Sequence, residues 1–267
     1  MLDVPTVTKL FTDVIRGKAG DASDRWVVCK DMMNRVQITS EILAIVVRKS
    51  DKLTPGLPGA LVERSFFERS PELVATALLG KVLVLKTRQG LLAGRIVEVE
   101  AYLGPHCDTP DAASHSYRGP TPRNSVLFGP AGHSYVYTIY GRYFCANFSC
   151  EVEGQAGGVL LRALEPMTGI AQMAQNRGLE QGAAPWELTS GPSRLCQALG
   201  LTREQHNGLD VTDESSPLQV RDDGFVAGRV LATPRIGINP ANPALDWPLR
   251  FVLAGHPCVS GPKRMRG

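Results

Sequence analysis

Residues 156–166 read Ala-Gly-Gly-Val-Leu-Leu-Arg-Ala-Leu-Glu-Pro, an apolar strand-length run with Arg162 at its centre. Such a run reads as a buried strand, and it carries a guanidinium in with it. An unpaired buried charge is very costly, so the fold has to bring a carboxylate to Arg162. The natural source is Arg95–Tyr102, which alternates as a second strand. There Glu98, Glu100 and Tyr102 share one face, while Val97, Val99 and Ala101 take the other. Either Glu98 or Glu100 can answer Arg162. At this level a structural ion pair and a catalytic pair look alike, and a solvated sheet face would show the same alternation.

The tyrosines add a second constraint. All six lie between Tyr102 and Tyr143, a span of 42 residues in a chain of 267. A packed core would spread them, so the cluster suits either a stacking surface for bases or a tyrosine-rich hairpin. Residues Ser134–Ser149 read as that hairpin, with Gly141-Arg142 as a two-residue turn of type II′. Tyr140 then faces Tyr143 at the tip, beside Arg142. An aromatic on a protruding tip is either a cross-strand partner or a wedge for insertion between bases. In this register Asn147 pairs opposite Val136, away from Tyr137. The two share a pocket only if a bulge shifts the hairpin or the pocket wraps its end.

Length and composition set the frame. No run of 18 apolar residues exists, which excludes a membrane-spanning helix. The first thirty residues hold Asp3, Asp13, Asp21 and Asp24 and no apolar stretch of signal-peptide type. Six cysteines without a CxxC pair read as reduced thiols in an intracellular protein. A Pro/Gly connector, Asp51–Gly59, divides an N-terminal extension (1–60) from one globular domain (61–267). The domain carries 20 basic and 19 acidic residues, so bulk charge does not mark a nucleic-acid binder. Seventeen of its bases are arginines, whose planar fork grips phosphate or carboxylate with two hydrogen bonds.

Smaller signals fill in the map. Ser70-Pro71-Glu72 opens a helix that Leu73, Leu78 and Leu79 continue and Gly80 ends, and Val82–Leu85 follows as a strand. Ser190–Arg194 opens another short helix, closed by Gly200. Its free N–H groups beside Ser193 and Arg194 make either a phosphate site or a plain capped helix. His106, Cys107, Asp108 and His115 lack the spacing of a zinc site, so no metal is expected. Gly132-His133-Ser134-Tyr135-Val136 lacks the second glycine of a nucleophile elbow.

Together these segments resemble the 3-methyladenine (alkyladenine) DNA glycosylases of the mammalian type. The likeness rests on Glu98–Pro105, Ser114-His115-Ser116, Thr121–Asn124, Tyr135–Gly141 and Leu160–Pro166. It extends to Phe66-Phe67, Leu78–Lys81, Ser190-Gly191-Pro192 and Pro234–Gly237, and covers roughly residues 61–260. The resemblance implies a mixed α/β (α+β) fold. The form expected is a single compact domain with a curved, mainly antiparallel sheet, surrounding helices and a protruding β-hairpin. It implies a monofunctional enzyme that excises alkylated or deaminated purines from duplex DNA, without metal or cofactor, as an intracellular monomer. Its compartment would be cytoplasmic if bacterial and nuclear if eukaryotic. Glu100 is then the general base, held by Arg162. Tyr102, His115, Tyr137 and Asn147 enclose the flipped base, with Asn147 rejecting guanine. Tyr140 intercalates, and Arg123, Arg142, Ser193 and Arg194 contact the DNA backbone. Two other readings fit the same residues: a damaged-DNA binding module without turnover, and a small-molecule hydrolase using Glu100.

Overall fold

In the computed structural model, the structure describes residues 56–261. Expectations for residues 1–55 lie outside them. Nine strands form one sheet in which every pair is antiparallel. They are β1 (Ala60–Leu61), β2 (Val82–Thr87), β3 (Gly90–Tyr102), β4 (Ser134–Ile139), β5 (Tyr143–Cys150), β6 (Gly157–Thr168), β7 (Leu218–Asp222), β8 (Val230–Thr233) and β9 (Arg250–Leu253). The order is β1-β7-β2-β3-β6-β5-β4, and β9 joins β3 with β8 outside it. Among the described residues five short α-helices accompany the sheet: α1 (Pro71–Leu78), α2 (Ile170–Arg177), α3 (Pro185–Thr189), α4 (Pro192–Leu199) and α5 (Arg203–His206). The α+β class expected from the sequence is the class observed. Among the described residues no helix is long and apolar enough to cross a membrane.

Strand β3 is the spine. Its first half pairs with β2, its second half with β9, and β6 runs along its other edge. Glu98, Val99 and Glu100 therefore have a strand on both sides. The β3–β6 ladder shifts register on either side of Glu98, and such bulges re-aim side chains next to active sites. Both carboxylates end up fully buried. The solvated-face alternative is thereby set aside.

Helix α1 starts at Pro71 as read, but the Ser70 side chain makes no capping bond and Leu73 faces solvent. Val74, Ala75 and Leu78 carry the buried face instead. Helix α4 begins at Pro192 and buries Leu195, Cys196, Ala198 and Leu199 against β5 and β6. The residue before it, Gly191, has φ +116° and donates its N–H to the Arg162 carbonyl at 2.9 Å. Few residues other than glycine adopt that backbone, so Gly191 fixes the start of α4 beside the buried arginine.

The hairpin differs from the expected one by a single residue. The turn is Ile139–Arg142, with the Arg142 N–H donating to the Ile139 carbonyl at 3.3 Å and positive φ at both Tyr140 (+48°) and Gly141 (+70°). That is the backbone of a type I′ turn rather than a II′ turn on Gly141-Arg142. Arg142 is left outside the ladder as an extra residue, so Ile139 pairs with Tyr143, Tyr137 with Cys145 and Tyr135 with Asn147. The one-residue shift moves Asn147 onto the face that carries Tyr135 and Tyr137. Tyr140 leaves the ladder altogether and stands at the tip, 88% exposed.

Candidate active site

The site is built from the carboxylate face of β3 outward. Glu100 accepts two hydrogen bonds, from the Ile236 N–H (2.7 Å) on Oε1 and from the Tyr102 hydroxyl (2.9 Å) on Oε2, and forms an ion pair with Arg162, whose Nη1 lies 3.1 Å from Oε1. Glu98 sits behind it. It accepts Arg162 Nε at 2.8 Å, Arg250 Nε at 2.7 Å, the Ser260 hydroxyl at 2.7 Å and the Ser260 N–H at 2.5 Å. The sequence left open which carboxylate answers Arg162, and the structure uses both. Two carboxylates and two guanidiniums make a buried cluster whose formal charges cancel, the condition under which such charges are tolerated.

Burial alone would raise the Glu98 carboxyl, but Arg162, Arg250 and the Ser260 N–H outweigh it and hold it below 4.5. Burial likewise disfavours the Arg162 cation, and Glu100 and Glu98 more than compensate, so Arg162 stays charged. The linked stability has a definite sign. A depressed carboxyl stabilises the fold above its unfolded value and loses that contribution as pH falls through the folded value. Glu98→Gln should therefore cost about 3–5 kcal/mol at neutral pH, with a deficit that shrinks below about pH 4. Urea unfolding at neutral and acid pH checks this. A deficit independent of pH would show that Glu98 is not held as a carboxylate.

Above the carboxylates opens a pocket of about 440 Å³, lined by Tyr102, His115, Tyr135, Tyr137, Cys145, Asn147, Leu160, Arg162, Ser193 and Ile236 among others. A larger, open hollow of about 760 Å³ beside β1 and α1 holds none of the expected site residues. The walls of the first pocket are aromatic. Tyr135 and Tyr137 stack with centroids 5.3 Å apart, and His115 meets Tyr137 edge-on at 4.6 Å. His115 Nδ1 lies 3.0 Å from the Tyr135 hydroxyl. Burial, with Arg123 nearby, lowers the His115 pKa from its ordinary value and so favours the neutral imidazole. Asn147 donates from Nδ2 to the Tyr135 carbonyl at 3.0 Å, which fixes its amide.

The structure gathers Arg162, Tyr102, His115, Tyr137, Asn147, Tyr140 and Ser193 around one pocket. Arg123 stands at its rim, 5.7 Å from the Tyr137 centroid. Arg142 lies over the Tyr143 ring on the hairpin tip, and Arg194 is exposed on the first turn of α4. Glu100 is the exception. It does not line the pocket; its three partners, Arg162, Ile236 and Tyr102, do.

Several residues were missed in the sequence. Arg235 stacks over the Tyr102 ring at 4.5 Å and forms a fork-to-fork pair with Asp111, at 2.5 and 2.9 Å. This buried clamp sets the loop whose Ile236 N–H holds Glu100. Tyr135, Arg250 and Ser260 were missed as well. An arginine beside a proline in an apolar tail, Pro234-Arg235-Ile236, is the one signal that could have flagged the clamp.

The pocket is thus an aromatic slot above a buried, hydrogen-bonded carboxylate, a shape that can take a planar group. A model of the methylpurine-DNA glycosylase family matches residues 65–257. A protein of Koribacter versatilis is 52% identical over 202 residues, which is 76% of this chain and 94% of the relative. One of Burkholderia lata is 42% identical over 221 residues (82% and 100%), and one of Methanoculleus marisnigri 46% identical over 200 residues (73% and 96%). All three bear the name "Putative 3-methyladenine DNA glycosylase". The chain belongs to the methylpurine-DNA glycosylase family. It is a DNA repair enzyme that hydrolyses N-glycosyl bonds, and DNA is its substrate.

Proposed function

We propose that this enzyme excises alkylated or deaminated purines, of the 3-methyladenine, hypoxanthine and ethenoadenine class, from duplex DNA. It would do so by flipping the base into the aromatic pocket and directing water at C1′. The observation that carries the reading is Glu100, held by Arg162, Tyr102 and Ile236 directly beneath that pocket. A base inside the stack is out of reach of such a group, so it has to leave the duplex first. Tyr102, His115 and Tyr137 then sandwich it, and Tyr140 fills the gap it leaves. Asn147, its amide fixed against Tyr135, excludes the 2-amino group of guanine. Arg123, Arg142, Ser193 and Arg194 hold the phosphates around the lesion.

An alkylated purine carries positive charge and departs readily, so stacking and a positioned water suffice. Hypoxanthine is neutral and needs a proton on its ring as it leaves. The reaction calls on no metal or organic cofactor. We assign it to residues 61–267 acting as a monomer, with 1–60 as an extension.

The test is a duplex with one hypoxanthine or ethenoadenine, incubated with the protein and treated with alkali. Release of free base with an alkali-labile strand is expected. Salt-dependent binding to the same duplex without base release would leave a damage-binding module. Absence of duplex binding would point to a small-molecule hydrolase.

A further inference from the structure

Tyr102 is a wall with two sides. The residue lines the pocket, and over its ring stands the Arg235 guanidinium, 4.5 Å from the centroid. Arg235 is only 4% exposed and does not line the pocket, so it covers the ring from behind. A base stacked on the free face at about 3.5 Å has that cation roughly 8 Å away, with the ring between them. The π face of a tyrosine attracts a cation, and this ring already holds one.

Two observations indicate that the ring, and not Asp111 alone, answers the charge of Arg235. Asp111 and the Ala101 carbonyl accept from the two terminal nitrogens, but the buried Nε has no hydrogen-bond partner among the described residues. Burial raises the Tyr102 hydroxyl well above the ordinary tyrosine value, Glu100 adds to the rise, and Arg235 opposes it. The arginine's charge is thus felt at Tyr102 despite its ion pair. The opposite wall repeats the arrangement more weakly. Arg123 lies 5.7 Å from the Tyr137 centroid, but it is exposed to solvent, where salt screens it.

We infer that Arg235 is a specificity-determining residue, which acts through the back of Tyr102 to shift the pocket from cationic purines toward neutral ones. The inference rests on the reading of the pocket as a site for flipped purines, and deepens it. An aromatic slot by itself favours the positively charged, alkylated base. With Arg235 behind the ring, stacking a second cation gains less, while a neutral purine such as hypoxanthine stacks without that penalty. Arg235 touches neither the base nor the water. In the competing account Arg235 is only the clamp on the Ile236 loop, and its loss slows excision of every lesion by the same factor.

Arg235→Gln combined with Asp111→Asn removes both charges together, so no buried charge is left unpaired. Single-turnover release is followed for 3-methyladenine from methylated duplex, the cationic lesion, and for hypoxanthine, the neutral one. The ratio of the first rate to the second should rise about 5- to 10-fold over unaltered protein, whatever common loss a loosened loop brings. A ratio unchanged within about twofold overturns the inference. Unaltered protein supplies a second test, independent of how the variant folds. Its affinity is compared for two duplexes, one holding 3-methyladenine on a 2′-fluorinated sugar that resists hydrolysis, the other the uncharged 3-methyl-3-deazaadenine. Affinities within about fivefold are expected, and a larger advantage for the cation overturns the role of Arg235. The two claims fail separately. If unaltered protein releases neither base, the glycosylase reading falls; if it releases both and the ratio holds in the variant, only the role of Arg235 falls.

Discussion

Glu100→Gln is expected to lower the single-turnover excision rate by about 10²- to 10⁴-fold, the range that general-base catalysis contributes, while duplex binding survives. The geometry favours a clean result. The glutamine oxygen can take the Oε1 place, keep accepting from the Ile236 N–H and stay beside Arg162. Its amide then faces Tyr102, whose hydroxyl can turn and accept. Arg162 does not lose its last counter-charge, because Glu98 still holds its Nε edge. What disappears is the carboxylate that the proposed reaction uses as its base. Single-turnover kinetics with a hypoxanthine duplex, alongside a binding titration, measure both halves. A rate within about tenfold of wild type would remove Glu100 from the chemistry.

The second large effect is expected at the hairpin tip. Tyr140 is an exposed aromatic with φ +48°, a region that bulky residues seldom occupy and that costs about 1–3 kcal/mol to hold. Core packing gives no return for that strain, whereas filling the hole left by a flipped base does. Tyr140→Asn relieves the backbone, since asparagine tolerates this conformation, and removes the wedge. Melting temperature should hold or rise. Excision of a well-paired lesion should fall by about 100-fold, in line with a few kcal/mol of unstacking no longer offset, and excision of a mismatched lesion should fall less. Equal losses on paired and mismatched lesions, or a lower melting temperature with no loss of rate, would assign Tyr140 to the fold instead.

The two cases also show what the sequence could and could not reveal. Arg162 within an apolar strand demanded a carboxylate, and the period-two pattern of β3 offered Glu98 and Glu100 on one face. Local chemistry was enough there, because burial of a charge leaves few solutions. The hairpin was read one residue out of place. Glycine at the first central position favours a II′ turn, and nothing in the sequence announces a tyrosine with positive φ. That single residue decided whether Asn147 faces the pocket.

The clamp of Arg235 on Asp111, and of Arg250 and Ser260 on Glu98, was hidden for a different reason. The paired residues lie more than 120 positions apart in the chain. Arg250 reaches Glu98 because β9 docks on β3, and Arg235 reaches Asp111 between two loops; neither long-range meeting has a local pattern to betray it. Tyr135 lies in a segment that carries the resemblance, and its place beside Tyr137 on one strand face follows from the period of two, but its bond to His115 needs a loop that no local pattern places.

The central claim is that water, and no amine of the protein, displaces the base. An enzyme that attacks C1′ with an amine forms a Schiff base and needs a lysine or a free N-terminus at the pocket. No lysine lies between Lys86 and Lys263, and among the described residues none lines the pocket. Lys81 is paired with Asp222, and Lys86 bonds the Glu214 carbonyl. Borohydride added during turnover of a lesion-containing duplex tests this directly. Water attack predicts free base, an intact abasic strand and no trapped species; a covalent protein–DNA adduct would contradict it.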